Sequence, residues 1–191
     1  MGSKVQNIIL GVLAVGLIGL TVAYALLTQQ LRIESTATVK AGAWDIHFEN
    51  LSSSLTGKAT LADTNQLTIT NNSTTISGSV GNLSLPGDSI VYTFDIVNKG
   101  NIPAILSAAP VMSTPTCTST DTVSATNICN NDLVYTLTYS DGSQINNGDT
   151  LAVGETKKAK LTLSLKNEMT YTPKADVEIG NIAATLNYSQ N

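Results

Sequence analysis

Charge is scarce in this 191-residue chain: Asp, Glu, Lys and Arg together make up 13%, against about a quarter in ordinary soluble domains. Long charged side chains clothe the outer faces of surface helices, so their shortage argues against a helical bundle. Histidine occurs once and cysteine twice. That inventory excludes a zinc finger and an HExxH zinc protease. The net charge of −4 and a pI near 4.8 leave no basic surface for phosphate backbones, so no nucleic-acid partner is expected. Glycine-rich phosphate loops are missing too. Gly57-Lys58 has neither the upstream glycine nor the following Ser/Thr of a phosphate-binding turn. Asn147-Gly148-Asp149 reads as a hairpin turn and not as part of a calcium loop. No metal and no cofactor is expected.

What is abundant is Thr, with 26 residues, together with Ser and Asn. Thr is β-branched and suits strands. The other conspicuous feature is residues 8–27, IILGVLAVGLIGLTVAYALL, which carry no charge. As a helix this span would be about 30 Å long, the hydrocarbon thickness of a bilayer. Lys4 precedes it, on the side expected to stay in the cytoplasm. Two readings stay open. Residues 1–27 are a signal peptide cleaved after Ala25, with the small-x-small site Ala23-Tyr24-Ala25. Otherwise they are a retained membrane anchor, which the apolar length favours. Both readings export residues 28–191 and place them outside the cell or on its surface.

The exported part alternates. In AWDIHFENL (43–51), Trp44, Ile46 and Phe48 point one way and Asp45, His47 and Glu49 the other. Period two marks a half-buried strand. Pro86-Gly87-Asp88 is a turn signal, and SIVYTFDIVN (89–98) is the strongest strand pattern in the chain. DLVYTLTYS (132–140), TKKAKLTLSL (156–165) and VEIGNIAATLNYS (177–189) follow the same logic, with a Thr/Ser/Pro-rich excursion over 113–131. No segment after the apolar span shows a helical period. The chain predicts nine or ten short strands in one all-β domain, 28–191, an antiparallel β-sandwich of Ig-like or jelly-roll order behind an N-terminal apolar helix.

Cys117 and Cys129 sit in the excursion, and export permits their oxidation, so a structural disulfide is expected. His47, the lone imidazole, lies between Asp45 and Glu49 on the polar face of its strand. The three could hold a cation, but a solvated strand face is the expectation. Among fourteen acids no glycosidase-like carboxylate pair stands out. Trp44 and the six Tyr are read as packing residues and not as a carbohydrate platform. No catalytic residue is expected, and a structural or binding role is left.

The order of segments carries a resemblance: an apolar N-terminus with A-Y-A, QQLRIESTATV, AWDIHFENL, LPGDSIVYTFDIVNKGNIPAIL and VGETKKAKLTLSL. It resembles the bacterial exported proteins with a SipW-type signal peptide, the group that contains TasA and camelysin. The most specific stretch is P-G-D…F-x-x-x-N-x-G, here Pro86, Gly87, Asp88, Phe94, Asn98 and Gly100. In that family the pattern is a turn entering a core strand of a β-sandwich. Camelysin-like members have been called metalloproteases, an activity that does not carry over to a chain with one His and no HExxH. The family's structural members form extracellular fibres of the biofilm matrix. This chain departs from TasA in its two cysteines, its shorter length and the residues after the cleavage site.

The resemblance implies a non-catalytic, exported fibre subunit that polymerises with copies of itself by strand addition. The candidate donor is the segment 26–39, with Leu31, Ile33, Ala37 and Val39 on its apolar face. The same residues could instead be the first strand of their own sandwich. The alternative function is a membrane-anchored, monomeric surface module for binding or adhesion, tethered through residues 8–27.

Overall fold

A computed structural model describes residues 2, 3, 13, 14, 17, 41–70 and 74–190. The chain divides into two compact units, Met1–Lys40 and Ala41–Asn191. The expected apolar helix, but for Leu13, Ala14 and Leu17, lies outside the described residues. So do the cleavage-site residues Ala23 and Ala25 and the donor residues Leu31, Ile33, Ala37 and Val39.

The second unit is predominantly β, and its named strands pair antiparallel. In chain order its strands are β1 (Ile46–Thr56), β2 (Thr60–Leu61), β3 (Thr68–Thr70), β4 (Thr75–Ser77), β5 (Gly81–Asn82), β6 (Ser89–Asn98), β7 (Ala104–Leu106), β8 (Val111–Met112), β9 (Thr116–Thr118), β10 (Leu133–Tyr139), β11 (Thr150–Leu151), β12 (Thr156–Leu165), β13 (Glu178–Gly180), β14 (Ala184–Thr185) and β15 (Tyr188–Gln190). The four long strands make one sheet in the order β1-β6-β12-β10.

Strand β6 is central because both of its sides are paired and its inward row is apolar. Ile90, Tyr92, Phe94 and Ile96 are all buried, and burying each such side chain contributes about 1.5–3 kcal/mol. Strand β1 begins in register with β6 and then shifts between Glu49 and Ser52, where Asn50 adopts a φ of 55°. The extra residue is a β-bulge. Ile46 and Phe48 before it and Leu51 after it all pack against the core, which a strict two-residue period would not allow.

The short strands β7, β8 and β9 pair in turn with β15, β14 and β13. Together they form one interrupted ribbon, residues 104–118 against 178–190. The first break sets Ser107–Pro110 opposite Leu186 and Asn187, and the second contains Pro115. Proline has no N–H to give a ladder, so the pairing lapses there. Side chains stitch the gaps: Ser107 Oγ donates to Asn187 O at 2.8 Å, and Asn181 Nδ2 donates to Thr114 O at 2.8 Å. Strand β11 adds to the other side of β7, giving the order β11-β7-β15.

Two apolar clusters hold the strands. One joins Phe94, Ile96, Leu137 and Ala159 of the four-stranded sheet to Ala104, Leu106 and Leu151 of the ribbon. Phe48 meets Phe94 edge-on there, with ring centroids 5.3 Å apart. The other surrounds Ile90, Tyr92 and Leu163 with Ala59 and Val80.

The excursion after β8 is more regular than its composition predicts. It holds β9, a helix α1 (Thr122–Asn127) and a π-helical turn (Ile128–Asp132). Six residues are too few to show a helical period. The start is nevertheless written in the sequence: the Asp121 side chain accepts from Ser124 N at 3.2 Å, an ordinary N-cap. Cys117 of β9 and Cys129 of the π turn are disulfide-bonded, with Cα atoms 5.8 Å apart.

The bridge closes a loop whose ends are 12 residues apart, and in the chain-entropy account such a loop stabilises by about 3 kcal/mol. Reducing it should lower the urea midpoint accordingly. Unfolding curves with and without dithiothreitol measure this, and coincident curves would exclude a structural role for the bridge.

Candidate functional site

The segment with the most specific sequence pattern turns out to be architecture. Asp88 N donates to Leu85 O at 3.0 Å across Pro86-Gly87, and Gly87 has a φ of 81°. Proline then glycine with positive φ is the chemistry of a type II turn. The turn carries the Asp88 side chain into the protein, where it is 1% exposed. Its oxygens accept from Lys58 N at 2.7 Å, Ser84 N at 2.7 Å and Leu85 N at 2.8 Å. Burial alone would raise this carboxyl; the three backbone N–H groups outweigh it and hold the group below the usual carboxylate range.

At the far end of β6 the Asn98 side chain is fully buried. Its Nδ2 donates to Ile102 O at 2.9 Å and Leu151 O at 3.1 Å, and its Oδ1 accepts from Gly100 N at 3.0 Å. Gly100 is needed for space, because a Cβ there would lie 2.4 Å from Ala43 O. The pattern from Pro86 to Gly100 therefore pins both ends of β6, with Phe94 packing in between.

His47 lies on the outward face of β1, as its spacing predicts. Its Nδ1 is 2.7 Å from Asp45 Oδ1 and its Nε2 is 3.0 Å from Glu49 Oε1, while Lys99 Nζ also reaches Glu49. The hydrogen bond to Glu49 is the main influence and raises the imidazole above its ordinary value, against a smaller lowering by burial. Both ring nitrogens are engaged by carboxylates. Among the described residues, no group of three or more His, Cys, Asp or Glu side chains is arranged to hold a metal.

The feature most suited to binding is a cleft between the four-stranded sheet and the ribbon. Its wide part measures about 260 Å³ and is lined by Phe48, Tyr92, Phe94, Leu137, Ile182 and Leu186 among others. A narrower part of about 170 Å³ continues past Trp44, Ile46 and Tyr188. The two parts share Phe48, Thr74 and Leu186. A dry apolar void costs about 24 cal/mol per Å³, which bounds the wide part at roughly 6 kcal/mol if nothing entered it.

One wall of the cleft is a free strand edge. Strand β15 ends its sheet, and β14 pairs on one side only, with β8. The carbonyls of Ala183 and Asn187 accept from Ser113 N and Ser107 N, so those residues face the ribbon partner. Backbone groups alternate sides along a strand, which turns Ala184, Leu186 and Tyr188 toward the cleft. Two phenols are buried without a hydrogen-bond partner among the described residues, the hydroxyls of Tyr135 and Tyr188. Tyr135 lines the wide part and Tyr188 the narrow part. Burial, with the Asp149 and Glu155 charges adding to it, pushes Tyr188 up to about 12.

Of the residues singled out from sequence, the structure joins Cys117 to Cys129 and groups Pro86, Gly87, Asp88, Phe94, Asn98 and Gly100 around β6. Trp44, read as a packing residue, is 43% exposed at the mouth of the cleft. Sequence reasoning missed Ala184, Leu186 and Tyr188, whose strand is too broken to alternate cleanly. Comparison with protein-family models, curated proteins and solved structures finds no match for this chain.

Two outcomes follow from these geometries. Asp88→Ala leaves three backbone N–H groups without their acceptor and should cost about 1–3 kcal/mol at pH 7. Because the folded Asp88 titrates below its unfolded value, its contribution is present above that value and lost as pH falls through the folded one. Urea unfolding at pH 7 and pH 3 should therefore show a smaller gap between variant and wild type in acid. For His47, an NMR titration should give a midpoint above 6.5 that falls in Glu49→Gln. The linked stabilisation is present below the unfolded value near 6.5 and fades as pH rises through the folded one.

Proposed function

We propose that this chain is an exported, non-catalytic subunit of an extracellular fibre, built on a two-layer antiparallel β-sandwich whose ribbon layer is incomplete. The observation that carries the reading is the apolar cleft with a free strand edge along one wall. A sheet edge beside an apolar groove is what an extended peptide needs: backbone hydrogen bonds for affinity and pockets for alternate side chains. The Cys117–Cys129 bridge fits an oxidising compartment, and the apolar residues 8–27 supply a route to it. Addition of one copy's N-terminal segment to the next is heterologous, so it propagates without closing.

Removal of residues 1–25 frees the segment 26–39, which links assembly to export. Protein comprising residues 26–191 should pellet on ultracentrifugation and show filaments in negative stain, and protein starting at Gly42 should remain in the supernatant. Equal polymerisation of the two would remove the donor role. The competing reading, a monomeric module anchored by residues 8–27, predicts that the intact mass of the native protein retains the first 25 residues.

A further inference from the structure

We propose that the cleft is the receiving slot for residues 28–39 of a second copy, laid along the outward edge of Ala184–Gln190. This rests on the strand-addition reading above and assigns the site that reading leaves unplaced. The floor is apolar, with Phe48 and Phe94 of the four-stranded sheet beneath the gap. The wall offers the outward backbone groups of Ala184, Leu186 and Tyr188, which pair with no strand among the described residues. The two unpartnered hydroxyls, Tyr135 in the wide part and Tyr188 in the narrow part, add polar anchors to an otherwise apolar groove. Backbone carbonyls of an inserted strand would satisfy them, and an aliphatic small molecule would not.

The segment fits by length and by pattern. The seven residues of 184–190 span about 23 Å at strand rise, and residues 28–39 cover more than that. Leu31, Ile33, Ala37 and Val39 share one face; Arg32, Glu34, Thr36 and Thr38 share the other and stay in water. Its larger side chains come first and its smaller ones after. The slot is graded in the same sense, about 260 Å³ toward Ile182 and about 170 Å³ toward Tyr188. Matching large to large sets Leu31 and Ile33 over Phe94 and Leu137, and Ala37 and Val39 beside Trp44 and Tyr188. The inserted strand then runs parallel to 184–190.

Complementing variants of the mature chain, residues 26–191, test this. Ala184→Arg puts a charged side chain at an exposed position of the slot wall; Leu31→Asp with Ile33→Asp disables the arm. Unchanged urea midpoints certify the folds. Each variant alone should pellet at least tenfold less than wild type. An equimolar mixture should give a dimer by analytical ultracentrifugation, one intact arm in one intact slot. Wild-type-like pelleting of Ala184→Arg, with no dimer in the mixture, overturns the slot while the fibre reading stands.

A synthetic peptide of residues 28–39, added to the arm-disabled protein, separates the two claims further. Amide exchange at Leu186 and Tyr188 should slow at least tenfold, with Thr185 and Asn187 unchanged. No protection overturns the slot even if fibres form; protection in a wild type that never polymerises keeps the slot and sinks the fibre reading. Protected amides in a wild-type monomer without added peptide would assign the slot to the chain's own arm and overturn the second copy.

Discussion

Strand β6 is paired on both sides and buried along its inward row, so the chain must reverse direction at both of its ends without stranding polar groups. Asp88 and Asn98 meet that demand. One carboxylate gathers three N–H groups from the 58 and 84–85 segments. One amide ties Gly100, Ile102 and Leu151 together. A buried polar group left unpaired costs far more than a made bond contributes. These two side chains therefore fix where β6 begins and stops, and through it the register of β1 and β12. Every apolar contact in the two clusters is referred to that register, because a one-residue slip would turn Ile90, Tyr92, Phe94 and Ile96 outward.

The same economy fails in the ribbon. Proline at 110 and 115 interrupts its ladders, and side chains of Ser107, Ser113 and Asn181 bridge the breaks locally. Nothing pairs with the other side of 184–190 among the described residues. The sheet beneath is fully built, so its apolar face extends past the ribbon's edge and leaves the cleft. A well-formed layer facing an incomplete one creates at once an apolar surface without cover and a backbone edge without a partner. An added strand answers both.

Much of the four-stranded sheet was legible beforehand because its strands are long. Residues 89–98 and 156–165 alternate over ten positions each, and the structure makes β6 and β12 of those same residues. The face of Ile46, Phe48, His47 and Glu49 was legible for the same reason. Period two stops being informative once a strand holds two or three residues, so 177–189 read as one strand and proved to be pieces of three. Helix α1 escaped notice because six residues complete too few turns to repeat. The cleft was not legible at all. Its lining comes from seven separated stretches of chain, and no local pattern marks Ala184 or Tyr135 as neighbours of an empty space.

By itself the amino-acid order determined the β character of residues 41–190, the partners in the sulfur bridge, and the turn chemistry of Pro86-Gly87, since each depends on side chains close in the chain. Only the tertiary structure decided that Asp88 and Asn98 hold the ends of the central strand and that an edge is left free over an apolar floor. Those are consequences of long-range pairing, in which residues tens of positions apart compete for the same hydrogen bonds and the same volume.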